Sequence, residues 1–318
     1  MIRALLFAGA AIVSSPLAAQ EPPPPKLLVV ISVDQLSGGL FDEYRPQFTG
    51  GLARIASGTL FRRGSSSEPH GQSLGDLMKA HWPASRDVAV SGRPASDPIA
   101  GQNLDQHWFW AATSFQSELK TARVPPVVRK VNTAVAAALG QPRPPLDAPP
   151  FCQSKPGKTQ LARAAGDAPA LAASPELDGD TLALAAGLVD EMQLGRRADP
   201  DIVTIDLSGT GNVARSYGGG SEEMCLQLTE LDREIGDFLS LLDSRGIDYA
   251  VALDGIADGP VPIAFWRPGF SGESVDTAAD TVDMVPTLAT LIELPLPPGL
   301  PGRCLEGTPA FCQQRSRD

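Results

Sequence analysis

Apolar and polar positions along the chain switch between two periods, and the switching predicts a layered fold. Lys26-Leu-Leu-Val-Val-Ile-Ser-Val-Asp34 is a near-continuous β-branched run, the pattern of a strand buried on both faces of a parallel sheet. Asp201–Ser208 reads as a second strand, and Ile247–Leu253 and Val261–Trp266 as two more. Between the strands the spacing turns helical. Helices are predicted over 40–57, 73–80, 128–139, 180–194 and 282–292, and the best one over 221–244. There Ser221 is placed to cap, and Glu222 and Glu223 suit the positive end of the helix dipole. Leu226, Leu231, Ile235, Phe238 and Leu242 form its apolar stripe. Strands alternating with helices predict an open α/β layer fold.

The N-terminus has the layout of a signal peptide over residues 1–19. Arg3 supplies the positive end, Ala4–Val13 the apolar core and Ser14–Ala19 the small-residue cleavage zone. The apolar run is too short to span a bilayer. The mature chain is therefore expected to begin near Gln20 and to be exported, periplasmic or secreted, without membrane contact after cleavage. Residues 20–25 form a stiff Pro-rich spacer. Residues 26–318 are expected to make one α/β domain, with 140–178, rich in Pro, Ala and Gly, as an irregular loop or subdomain connection.

Composition narrows the chemistry. The 26 Lys and Arg against 37 Asp and Glu leave a net charge of -11, which argues against nucleic acid or an anionic membrane as the main partner. The 31 glycines and 30 prolines predict many turns. Four cysteines in an exported chain predict two disulfides. Cys304 and Cys312 lie close together and are paired, which leaves Cys152 with Cys225; sequence alone leaves three connectivities open. Histidine changes the picture most. There are three, His70, His81 and His107, so chemistry that needs imidazole from any later residue is not encoded. Their spacing with Asp34 matches no metal-ligand pattern. Trp108-Phe-Trp110 suits packing over a sheet better than a ligand cleft, and Gly218-Gly-Gly-Ser221 suits a turn better than an anion cradle.

Asp34 ends the first strand, where a carboxylate caps the next helix or holds a metal. Its context, Lys26 to Gln35, resembles the opening strand of the alkaline phosphatase superfamily. The likeness is to the bacterial periplasmic branch with a threonine nucleophile, related to type I phosphodiesterases and nucleotide pyrophosphatases. It continues through Ser73-Leu-Gly-Asp-Leu-Met-Lys79, Asp87-Val-Ala-Val-Ser-Gly92 and the segments 180–195, 201–218 and 224–252. It ends with Val261-Pro-Ile-Ala-Phe-Trp-Arg-Pro268 and Thr281-Val-Asp-Met-Val-Pro-Thr-Leu288. The resemblance implies a mostly parallel central sheet with helices on both faces, here truncated. It also implies two zinc ions on Asp and His ligands, and a Thr or Ser that attacks the phosphoryl group between them.

Several of the implied site residues are absent. Asp34 keeps the first ligand position. The family's Thr-x-Pro-Gly-His segment is replaced by Ser67-Glu-Pro-His-Gly71, which runs directly into the later Leu-Gly-Asp motif. Ser67 is the nucleophile only if a reduced site remains active. The Thr-Asp-Tyr-x-Gly-His motif becomes Thr210-Gly-Asn-Val-Ala-Arg215, with Gly211 at the Asp position and Arg215 at the His position. A guanidinium has no lone pair to offer zinc. The Ala-Asp-His-Gly turn becomes Asp254-Gly-Ile-Ala-Asp258, and the final His is missing before Val261. Of the family's Lys-x-Arg pair, Arg93 stands at the first position and Ala95 at the second. The expectation is a degenerate member, catalytically inactive, with a vestigial Asp34 and no cofactor. Residual zinc-dependent ester hydrolysis is one alternative. Binding of a phosphate-type anion by Arg215 and Arg93 is the other.

Overall fold

The computed structural model describes residues 23–65, 72–94, 99–119, 124–157, 159–308 and 312. The expected signal peptide and Ser67 lie outside them. The chain enters through β1 (Leu27–Asp34), every residue of which is buried. Helices α1 (Gly38–Tyr44) and α2 (Gly51–Ala56) lead to β2 (Thr59–Ser65). After α3 (Leu74–His81) come β3 (Asp87–Ser91), β4 (Gln106–Ala111) and β5 (Ser114–Gln116). Four helices follow, α4 (Pro126–Leu139), α5 (Pro150–Gln153), α6 (Ala168–Ala172) and α7 (Pro175–Glu191). Strand β6 (Asp201–Leu207) then precedes α8 (Gly209–Tyr217) and the long α9 (Glu222–Ser244). The chain closes with β7 (Tyr249–Ile256), β8 (Val261–Trp266), β9 (Ser274–Val275), β10 (Ala279–Asp280) and α10 (Met284–Leu291).

These strands form one sheet in the order β10-β2-β8-β7-β1-β6-β3-β4-β5, with β9 beside β2. Strand β1 runs parallel to both its neighbours, and β3 runs parallel to β6 and β4; β8 is antiparallel to β7 and β2. Side chains alternate across a strand, so Leu27, Val29, Ile31 and Val33 enter one core, with α7 and α9 residues such as Leu188 and Leu231. Leu28 and Val30 enter the other, with Leu74, Met78 and Leu288 of α3 and α10. The sheet is thus mostly parallel and covered on both faces, as the run at 26–34 implied.

The 221–244 helix follows its sequence pattern closely. Ser221 Oγ accepts from the Met224 amide at 3.1 Å, and all five residues of the predicted stripe are buried. The predicted helix over 40–57 is broken instead. Pro46 sits in a 3-10 turn, Arg45–Gln47, and α2 starts afresh at Gly51. A Cβ at Gly51 would lie 2.4 Å from Ile235, so glycine lets α2 press onto α9. The exposed amides of the restart are taken by Asp232, whose carboxylate accepts from the N–H groups of Thr49, Gly50, Leu52 and Ala53 at 2.7–3.2 Å.

Other predicted bounds also shift. The 180–194 helix begins at Pro175, capped by Ser174, and the strand expected over 247–253 runs from Tyr249 to Ile256. Residues 140–178 are less irregular than expected, since they contain α5, α6 and the first turn of α7. Buried Arg163 ties them together by donating to the carbonyls of Ala138 and Gln141 and to the Glu176 carboxylate. The disulfides are Cys152–Cys225 and Cys304–Cys312, as paired on sequence. Trp108 and Trp110 are buried in β4 as packing residues. Among the described residues, no helix is long and apolar enough to cross a membrane.

Candidate functional site

In an open α/β sheet, ligand sites form beyond the carboxyl ends of the parallel strands. Asp34 occupies that place on β1, and the backbone leaves it through Gln35 in the left-handed region, φ 60°. Helix α8, which starts just after β6, lays Arg215 over it. The Arg215 Nη1 stands 3.3 Å from Asp34 Oδ2; the arginine side chain is 59% exposed and the aspartate 7%. Arg215 Nη2 donates to Asn212 Oδ1 at 2.7 Å, and Asn212 Nδ2 donates to the Ala172 carbonyl at 2.8 Å. Gly211 backs directly onto the carboxylate, and a Cβ there would lie 1.9 Å from Asp34 Oδ2. The fold therefore brings together Asp34, Gly211 and Arg215.

Arg93 lies just past β3 and donates from Nε to Asp206 Oδ2 at 2.7 Å. Asp206 escaped the sequence reading. Its signal is a lone carboxylate inside the otherwise apolar run Ile202-Val-Thr-Ile-Asp-Leu207. Asp254 was expected in a turn after its strand, but β7 continues through it to Ile256 and buries it. Ser32 Oγ donates to Asp254 Oδ1 at 2.7 Å, and Ser91 Oγ contacts Asp206 Oδ2 at 3.2 Å. The register sets Ser91, Asp206, Ser32 and Asp254 side by side in one transverse row across β3, β6, β1 and β7. Asp258 is exposed on the hairpin to β8.

Asp178 of α7 is fully buried. It accepts from the Gly209 amide at 2.9 Å and from Gln227 Nε2 at 2.7 Å. Burial pushes its carboxyl up to about 7, with the charges of Asp206 and Asp34 adding to the rise and the two hydrogen bonds opposing it. Nothing in the local sequence distinguished Asp178 from the other carboxylates of its helix.

The described histidines lie elsewhere. His81 ends α3 and meets the Trp82 ring edge-on at 4.6 Å; His107 in β4 packs on Phe109, and burial lowers its pKa. His70 lies outside the described residues. The Gly218–Ser221 segment is a turn that places Ser221 to cap α9. Among the described residues, no three His, Cys, Asp or Glu side chains converge as a metal-binding set. A two-zinc centre needs three or more protein ligands per ion. The described donors do not fit it.

No family model matches the chain. It is 34% identical over 297 residues to the alkaline phosphatase PhoK of a Sphingomonas species, covering 70% of this chain and 53% of that protein. It is 33% identical over 193 residues to the alkaline phosphatase PhoD of Zymomonas mobilis, covering 57% of this chain and 33% of that protein. The chain thus spans about half the length of the first and a third of the second. Among solved structures, alkaline phosphatase PafA aligns with a TM-score of 0.76 and 15% identity, over 91% of this chain and 100% of that one. This is a likeness of fold.

Proposed function

The chain belongs to the alkaline phosphatase superfamily, and we propose that it is a member in which two-zinc hydrolysis of phosphate esters has been lost. The observation that carries this reading is the Arg215–Asp34 pair. A fixed positive charge rests on the carboxylate that the family resemblance assigns to a metal, at 3.3 Å. Gly211, Arg215 and the absence of any histidine after His107 remove further ligands, and loss of several ligands abolishes a zinc site rather than weakening it. On this reading no cofactor is required.

A second reading, non-catalytic binding of a phosphate-type anion, is favoured by the exposed sides of Arg215 and Arg93, 59% and 39% exposed. Against it, each arginine already holds a buried carboxylate, which an arriving anion would have to rival. The two disulfides are consistent with an exported protein. Cleavage after residue 19 and a periplasmic location belong to the same proposal.

The test is turnover of a chromogenic phosphate monoester and diester, with chelator and with added zinc. The expected result is no turnover above buffer in either condition and little zinc retained after dialysis. Turnover that vanishes in Ser67→Ala, or about two retained equivalents of zinc, would sink the reading. Saturable phosphate binding lost in Arg215→Ala would favour the anion reading instead.

A further inference from the structure

We propose that Gly211 and Arg215 are a matched pair that seals the end of β1. Glycine makes room for the Asp34 carboxylate to lie against α8, and arginine caps it as a built-in cation. The proposal rests on the reading of lost hydrolysis and gives the two departures a shared structural role.

The argument starts from a buried charge. A carboxylate taken out of water needs a counter-charge or several donors. Among the described residues, Arg215 is the side chain that donates to Asp34. The exposures order the pair, with the guanidinium outermost and the carboxylate beneath it. Gly211 and Arg215 are four residues apart, one turn of α8, and so present neighbouring positions on one helix face. The helix face that meets β1 therefore carries a gap and a cation together. Asn212 orients the cap, since its amide bridges the Ala172 carbonyl and Arg215 Nη2. Any side chain at 211 would collide with the carboxylate, whose Oδ2 and Cγ lie 1.9 and 2.4 Å from the projected Cβ. Restoring a carboxylate at 211 alone would add a like charge against Asp34 and expel it from its seat.

The glycine provides a test whose sign is unusual. Inside a helix, Gly→Ala ordinarily stabilises. Here Gly211→Ala is expected to lower the melting temperature, because its methyl displaces Asp34 from Arg215. In an Asp34→Ala background the obstacle is gone, and the same substitution is expected to raise the melting temperature. Arg215→Gln should lower it by about 2–4 °C in the parent chain, and by less than half as much in Asp34→Ala. Zinc should not move the melting temperature of the parent chain relative to chelator.

Circular dichroism melts of the full chain and these variants read every arm. If Gly211→Ala raises the melting temperature in the parent chain, or the Arg215→Gln effect is the same with and without Asp34, the matched pair is overturned. A zinc-dependent rise in the parent chain also overturns it. Should Gly211→Ala fail to fold, recovery of folding in Gly211→Ala/Asp34→Ala supports the proposal, and continued failure overturns it. Turnover by the parent chain would instead defeat the reading of lost hydrolysis, a separate outcome read in a separate assay.

Discussion

The two disulfides should contribute unequally to stability, in an order set by the loops they close. Cys152–Cys225 spans 73 residues and Cys304–Cys312 spans 8. A cross-link removes freedom from the unfolded chain in proportion to the logarithm of its loop, about 4.4 kcal/mol at 25 °C for the long loop and about 2.5 for the short one. The difference, about 2 kcal/mol, is a large share of the ~5–15 kcal/mol that holds a domain together. The long-loop bridge also joins α5 to α9, so its loss removes the covalent tie between residues 140–178 and the helix they pack on. Paired Cys→Ala variants unfolded in urea provide the comparison, alanine avoiding a buried hydroxyl at Cys152 and Cys225. The expected result is a fall in unfolding free energy of about 4 kcal/mol for Cys152→Ala/Cys225→Ala and about 2–3 for the other pair. Native-state reduction should follow the opposite order, because Cys152 and Cys225 are buried while Cys304 and Cys312 are partly exposed. Equal losses, or a greater loss from the short loop, would refute the loop-entropy argument.

Two further perturbations have calculable directions. Asp232→Asn keeps one acceptor and turns an NH2 group toward two of the four amides now held by the carboxylate; the loss should be about 2–3 kcal/mol in urea titrations, and a loss below about 0.5 would place Asp232 among ordinary surface residues. Burial raises Asp178 and Asp180 to about 7 and Glu234 to about 9, against unfolded values near 4. The folded chain therefore binds more protons than the unfolded one between those limits, and stability falls as pH rises through the window. Melting temperature should decline from pH 5 to pH 9, and Glu234→Gln should flatten the upper part of that decline; a rise across the range would contradict it.

How much of this was legible in sequence depended on whether the governing contacts were local. β1 was legible because a parallel central strand is apolar on both faces, so no period had to be found. α9 was legible because its cap and stripe lie within one continuous segment. α1 and α2 were merged because apolar spacing persists across the local breakers Pro46 and Gly50–Gly51, while the carboxylate that takes the amides of the restart, Asp232, is far away in sequence. Strands β2 to β5 lacked a comparable run. Gln106-His-Trp-Phe-Trp-Ala111 is strand because β3 pairs with it, and its aromatics suit a cluster equally well.

The site divides along the same line. Histidine counting needs no geometry, so the absence of any histidine after His107 could be read from the sequence directly. The contacts made at the strand ends are tertiary. Asp206 matters because Arg93 returns to it from β3, and Asp254 because Ser32 lies beside it in the parallel register. Arg215 read in isolation is an attractive anion ligand. Placed on α8 above Asp34, with glycine one turn earlier, it becomes half of an internal charge pair. Two carboxylates near the strand ends, Asp34 and Asp206, thus each carry a side-chain cation. A carboxylate buried at a strand end costs free energy unless a counter-charge meets it, and here the counter-charges come from within the chain, from α8 and from the segment just past β3.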